Sequence, residues 1–167
     1  MALDLDALKF AVDDARRRHA AVVELIMVSD RQAMGLLQLY VALAGAAGSA
    51  AATILYSASA TFPPFVGWAL VGFACPLAIG SFFCLKVMIG ADIGLPGRKP
   101  DFWLWAHEEG VTSEEVYVTY LKELGPKEKQ NTNLNYRLGN WLQWAKYCAA
   151  AAPLLLGAVA AAGWWTR

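Results

Sequence analysis

Hydrophobic and polar positions divide this chain into long one-sided stretches and long stretches that are apolar all round. Residues Leu3 to Asp30 hold neither Pro nor Gly, and Leu5, Leu8, Val12, Ala15, Val22 and Ile26 recur at helical spacing. Side chains three or four apart share one helix face, so the pattern predicts an amphipathic helix. Its other face carries Asp6, Asp13, Arg16, Arg17, Glu24 and Asp30. From Ala33 to Ser57 the chain has no charged residue, and from Phe65 to Ile89 it has only Lys86. At about 1.5 Å rise per residue, either run crosses a hydrocarbon layer about 30 Å thick. Thr61-Phe62-Pro63-Pro64 joins the two runs into a hairpin, and no proline precedes Pro63, so the N-terminal helix can continue into the first run as one rod.

Beyond the hairpin, Gly90, Gly94, Pro96, Gly97 and Pro100 mark a turn-rich exit that cannot stay helical. Asp101 to His107 then begins a short helix with Trp103 and Trp105, a residue type that favours the membrane–water boundary, and it is expected to lie flat on the inner leaflet. Thr112-Ser113-Glu114-Glu115 is a capping-box signature, and the helix it starts is expected to end at Gly125-Pro126. Leu134, Leu138, Trp141, Leu142 and Ala145 resume helical spacing, leading into a last apolar run from Tyr147 to Trp165. The pattern predicts an all-α membrane protein with three transmembrane helices, a hairpin plus a returning C-terminal helix, together with an amphipathic N-terminal helix and a small helical cytoplasmic segment. Its parts are residues 1–32 as the cytoplasmic amphipathic helix, 33–89 as the hairpin, 90–140 as the cytoplasmic segment, and 141–167 as the third span with a short outer tail.

Composition supports the assignment. Hydrophobic residues make up 57% of the chain against 17% charged, more apolar surface than a soluble domain of 167 residues can bury. The lipid bilayer is therefore the first partner. Formal net charge is zero, so nothing points to a nucleic acid, and the information lies in where charges fall. Thirteen of the fourteen Lys and Arg lie before Gln32 or between Lys86 and Lys146. Short loops rich in these residues stay cytoplasmic, which places the N-terminus and the 90–140 segment inside and the Pro-Pro turn outside. Met1 to Arg31 is polar where a cleavable leader would show an early apolar core, so no signal peptide is expected.

The spans carry their own packing signals. Ala44 with Gly48, and Gly45 with Ser49, are small residues four apart that let helix backbones approach closely, and the second span is the simplest partner for them. Ala149, Pro153, Gly157 and Ala161 form a similar strip on the last span. Pro76 interrupts the second span and is a candidate hinge, although a static kink filled by a neighbour is the plainer account.

Chemistry is sparse. His19 and His107 both lie outside the spans, which disfavours intramembrane haem, and no acidic residue lies within a span, which disfavours a proton relay. Cys75, Cys84 and Cys148 match no zinc or redox spacing. Asp92, Asp101, His107, Glu108 and Glu109 are the one dense ionisable group, but a second histidine at metal spacing is missing. No catalytic residue, metal site or cofactor is assigned, and an enzyme is disfavoured.

The order of parts, with Asp30, Ala33 and Leu36-Leu37 at the start of the first span, Asp101-Phe102-Trp103 and Glu114-Glu115-Val116-Tyr117 in the middle, and Lys146-Tyr147 before the last span, resembles the small bacterial membrane effectors of the Pycsar type and the SLATT family of anti-phage operons. The resemblance implies an inner-membrane protein that assembles and disrupts the membrane when a nucleotide signal, or a sensor protein carrying one, engages it. The chain departs from a self-contained version of that scheme because it holds no separate nucleotide-binding domain. A non-catalytic accessory subunit of a larger membrane complex, packing against other chains instead of copies of itself, is the alternative. The topology is checked by cysteines introduced at Ala60 and Gly110 of a cysteine-free chain: an impermeant thiol reagent is expected to reach them from opposite sides of the membrane, and labelling from one side would refute it.

Overall fold

A computed structural model describes residues 4–57, 61–89, 92–95 and 97–166. Leu3, Gly90, Pro96 and Arg167, each part of an expectation above, and the 58–60 stretch of the interhelical link lie outside the described residues. The described chain forms four helices: α1 (Leu5–Tyr56), α2 (Pro64–Met88), α3 (Pro100–Trp105) and α4 (Ser113–Trp165). Among the described residues there is no strand. Helices α1, α2 and α4 are each long and apolar enough to cross a membrane. By contacts the chain divides into two units, Met1–Val28 with Ala91–Arg137, and Ser29–Gly90 with Leu138–Arg167.

In the second unit, three helical stretches bury a core of small and apolar residues. On α1 the buried or half-buried positions include Ala33, Leu37, Tyr40, Ala44, Ala47 and Ala51, an alternation of three and four residues that keeps one seam facing inward. Leu138, Leu142, Ala145 and Ala152 supply the buried positions of α4, and Ala69, Pro76, Leu77, Cys84 and Val87 those of α2. Pro76 stands inside an unbroken helix and is itself buried. The one long polar side chain at this depth, Tyr40, is 2% exposed and donates its hydroxyl hydrogen to the Ala145 carbonyl at 3.1 Å. A buried phenol needs such an acceptor.

Glycines set how closely α2 approaches its neighbours. A Cβ at Gly80 would stand 2.9 Å from the Tyr40 ring and 3.1 Å from Cys148 Cβ, and one at Gly67 would stand 2.7 Å from Leu55. Gly163 of α4 likewise has no room for a Cβ against Phe65. The small residues marked from the sequence are placed otherwise. Gly45 is exposed and Gly48 half-buried, and neither would bring a Cβ within 4 Å of any atom. Neither glycine therefore touches the second span within this chain. The seam of α1 runs through Ala44 and Ala47, and Gly45 lies about 100° round the helix from Ala44, which turns it away. For the same reason Pro153, Gly157 and Ala161 are exposed and only Ala149 is half-buried, because the α4 seam passes through Ala145 and Ala152.

The first unit contains residues of α1, the connector from Asp92, α3 and the first part of α4. Leu8, Val12 and Ile26 of α1 are buried here, whereas Leu5 is 40% exposed. Val12, Tyr120 and Leu124 form a buried cluster covered by Ala15, Phe102, Tyr117 and Leu121. The capping box at the start of α4 is present: Thr112 donates its backbone N–H to Glu115 Oε2 at 3.0 Å, and Glu115 donates its own to Thr112 Oγ1 at 3.3 Å. A second expectation is overturned further along, because α4 does not end at Gly125-Pro126 but runs through both. Proline costs a helix one N–H bond, here the one that would reach the Lys122 carbonyl. Lys122, Gly125 and Pro126 are all exposed, so water can satisfy that carbonyl, while Leu124 and Asn131 on the buried side hold the helix in register.

Crowding at Gly80 against open space at Gly45 gives a clear contrast. Gly80→Val is expected to destabilise the detergent-solubilised protein by about 1–3 kcal/mol through overpacking, and Gly45→Ala to leave it at least as stable as the parent. Equal melting of the two variants in a circular-dichroism thermal scan would contradict the packing described.

Candidate functional site

The polar chemistry of the structure is concentrated in the first unit, around the connector between α2 and α3. Its centre is the peptide of Gly94. Asn131 accepts the Gly94 N–H at Oδ1, 2.9 Å, and returns a hydrogen from Nδ2 to the Gly94 carbonyl at 3.0 Å. His19 Nε2 lies 2.9 Å from the same carbonyl, and since a carbonyl only accepts, Nε2 carries the hydrogen. His19 and Asn131 are each 0% exposed. One connector peptide thereby ties α1 to α4 through three hydrogen bonds shielded from water. Gln130 adds a bond to the Asp92 carbonyl at 3.2 Å, and Arg18 of α1 pairs with Glu128 of α4 at 2.6 Å.

Three residues after Gly94 the chain turns at Gly97, φ +103°, and sends Arg98 inward. The Arg98 side chain is 4% exposed. Its guanidinium carbon stands 4.5 Å from the centre of the Tyr120 ring and 5.1 Å from that of Phe102, so the cation rests against both rings of this edge-to-face pair. One terminal nitrogen bonds Glu123 and the other the Tyr120 carbonyl. From the α1 side, Arg16 donates Nε–H to the Tyr120 hydroxyl at 2.8 Å, with its guanidinium carbon 4.8 Å from the ring centre. Tyr120, 2% exposed, is thus gripped by two arginines. Two buried nitrogens, His19 Nδ1 and Arg98 Nε, meet no hydrogen-bond partner among the described residues.

Two clefts flank this arrangement, and α3 lines both. The first, of about 500 Å³, is lined by residues that include Arg98, Lys99, Phe102, Trp105, Glu123 and Lys127. The second, of about 410 Å³, includes Lys9, Asp13, Arg16, Trp103, Tyr117 and Tyr120. At its edge Lys9 Nζ bonds Asp6 at 3.1 Å, and that bond and charge raise the lysine above its usual pKa. Both clefts mix cations, carboxylates and aromatic walls.

The residues singled out from the sequence fall in different places. Gly45, Gly48, Ala149, Pro153, Gly157, Ala161 and Pro76 belong to the second unit and none contributes to these clefts. Asp101 lines the first cleft, while Asp92, His107, Glu108 and Glu109 are exposed. Among the described residues, no three His, Cys, Asp or Glu side chains gather as a metal site. The Gly94 centre escaped sequence reasoning although a signal existed. His19 follows Val12 and Ala15 and precedes Val22 and Ile26 at seam spacing, and Asn131 stands likewise among Tyr120, Leu124, Leu134 and Leu138. A polar residue at a seam position must find a buried partner.

Fold and site together give, among the described residues, an all-helical protein with three helices long and apolar enough to cross a membrane and a polar, aromatic-lined helical unit, a combination consistent with a multi-pass membrane protein. Comparison with protein-family models, with curated proteins and with solved structures returns no match.

Asn131→Ala removes two of the three bonds to Gly94 and strands its N–H in the interior. The expected loss is about 2–3 kcal/mol of unfolding free energy, readable in a denaturant titration of the purified chain. A loss below about 0.5 kcal/mol would show that the centre does not hold the unit together.

Proposed function

We propose that this chain is a bacterial inner-membrane effector with a cytoplasmic N-terminus. It assembles with copies of itself through the small-residue faces of its apolar helices, and it perturbs or permeates the membrane when its polar unit is engaged by a cytoplasmic signal, a nucleotide or a sensor carrying one, as in anti-phage defence. The observation that carries this reading is the open state of those faces. Gly45 and Gly157 have no atom within 4 Å of a Cβ placed on them, and Pro153 and Ala161 are exposed on a helix whose inward seam lies elsewhere. In lipid there is no hydrophobic drive between helices, so close backbone contact along small residues becomes a main source of association. The glycines of α2 at Gly67 and Gly80 are already filled by Leu55 and Tyr40. Gly45 of α1 and Gly157 of α4 are left for a further helix.

The charge distribution supports the orientation. Lys and Arg are concentrated before Gln32 and from Lys86 to Lys146, and the link around Pro63 has none. Lys86, at the end of α2, rests its ammonium 5.3 Å from the Phe82 ring centre, a placement suited to a cation at the edge of an apolar layer. The clefts beside α3 supply cationic and aromatic groups on which a soluble signal can act.

The test is expression in bacteria of the chain and of a Gly45→Leu, Gly157→Leu double variant under an inducing infection, with a potential-sensitive dye. The parent chain is expected to depolarise the membrane and to run as a homo-oligomer in native mass spectrometry. The variant is expected to lose both while keeping its thermal stability. Depolarisation undiminished in the variant would refute assembly through these faces, and a fixed set of foreign subunits would make the chain an accessory component of their complex.

A further inference from the structure

The segment from Arg98 to Glu109 is built differently from the helices on which it rests. Among the described residues only Gly97, φ +103°, and Gly110, φ +93°, have positive φ, and they stand at its two ends. Neither has an atom within 4 Å of a Cβ position. Glycine crosses between positive and negative φ at little cost, so these are the two points at which the backbone can pivot freely. Between them the backbone bonds are local: Phe102 to Lys99, Ala106 to Phe102, His107 to Leu104, and Glu108 to Trp105. Beyond the Arg98 side chain, no described residue of the segment is fully buried, and Leu104 is 70% exposed.

What holds the segment down is side-chain contact at one end. Arg98 reaches Glu123 and the Tyr120 carbonyl, and Phe102 covers the Val12, Tyr120 and Leu124 cluster. Immediately upstream, Gly94 is fixed by buried His19 and Asn131. A firmly anchored residue, then a free pivot, then a segment held by one cation and one ring, is the construction of a hinged strap.

We propose that residues 98–109 swing away as one piece about Gly97 and Gly110, with the Arg98–Glu123 pair as the latch. Opening uncovers the Val12, Tyr120 and Leu124 cluster and joins the two clefts, whose shared wall is α3. The latch is breakable because Glu123 is 55% exposed, so water or a competing cation can reach the carboxylate without disturbing the buried cluster. The device concerns the first unit alone and stands whether or not the chain depolarises membranes.

Hydrogen exchange read by mass spectrometry on the full chain in detergent tests it. A six-residue helix cannot hold its own bonds once undocked, so opening is read as exchange. In the unaltered protein, residues 100–109 are expected to exchange at least tenfold faster than the Gly94 amide and residues 120–131. Glu123→Gln is expected to speed exchange of 100–109 by roughly tenfold, the factor for losing one charge-assisted hydrogen bond, and to leave Gly94 and 120–131 unchanged. Gly97→Ala, strained in the docked conformation, is expected to act in the same direction. The proposal is overturned if 100–109 exchange no faster than Gly94 in the parent chain, if neither variant changes them, or if Gly94 and 120–131 loosen in step with them.

Discussion

The first unit rests on one carbonyl oxygen. That of Gly94 accepts hydrogens from His19 and from Asn131, two buried side chains on different helices, while its own N–H is taken by Asn131. Each group would be costly to bury alone: an unpaired amide or imidazole in the interior loses water bonds worth about 1–3 kcal/mol. Satisfied together they become specific, since only one placement of the connector serves all three. The arrangement fixes the rotation of each helix about its own axis at His19 and Asn131, and it sets where the chain leaves toward Gly97. The arginine clamp on Tyr120 depends on that exit, because Arg98 is only four residues downstream.

In the second unit the corresponding constraint is close approach. Tyr40 fills the space left by Gly80 and bonds the Ala145 carbonyl, so a large side chain, a missing side chain and a backbone acceptor from three helices meet at one point. Small residues have two distinct uses here. Those of α2 make room for a neighbour already present, and those on the outer faces of α1 and α4 adjoin nothing. The proposed assembly uses the second group and leaves the first untouched.

Much of the helical content is legible in the sequence, for physical reasons. Uncharged runs such as Ala33 to Ser57 have no stable place outside an apolar medium, and the Thr112–Glu115 capping pair identifies a helix start from four residues. Other features are less legible. Gly125-Pro126 reads locally as a helix end, yet the buried residues on either side outweigh one lost bond on a wet face. Small-residue spacing announces that a helix can be approached closely but not from which side; the seam decides that, and at Gly45 the decision turns on a single residue of phase. The Gly94 centre joins positions 19, 94 and 131, and no local pattern relates residues so far apart. Only the misfit of a histidine and an asparagine in apolar rows gives notice of it.

The reciprocal bonds between Thr112 and Glu115 have a consequence for how motion spreads. They lie two residues past Gly110 and close the first turn of α4 on itself, giving its leading amides partners within the helix. A disturbance arriving through the backbone from α3 therefore meets a closed ring of bonds before it meets the rest of α4, and fraying stops there. With that turn capped, a change in the preceding loop passes along the long helix more readily through what its side chains touch than through unwinding.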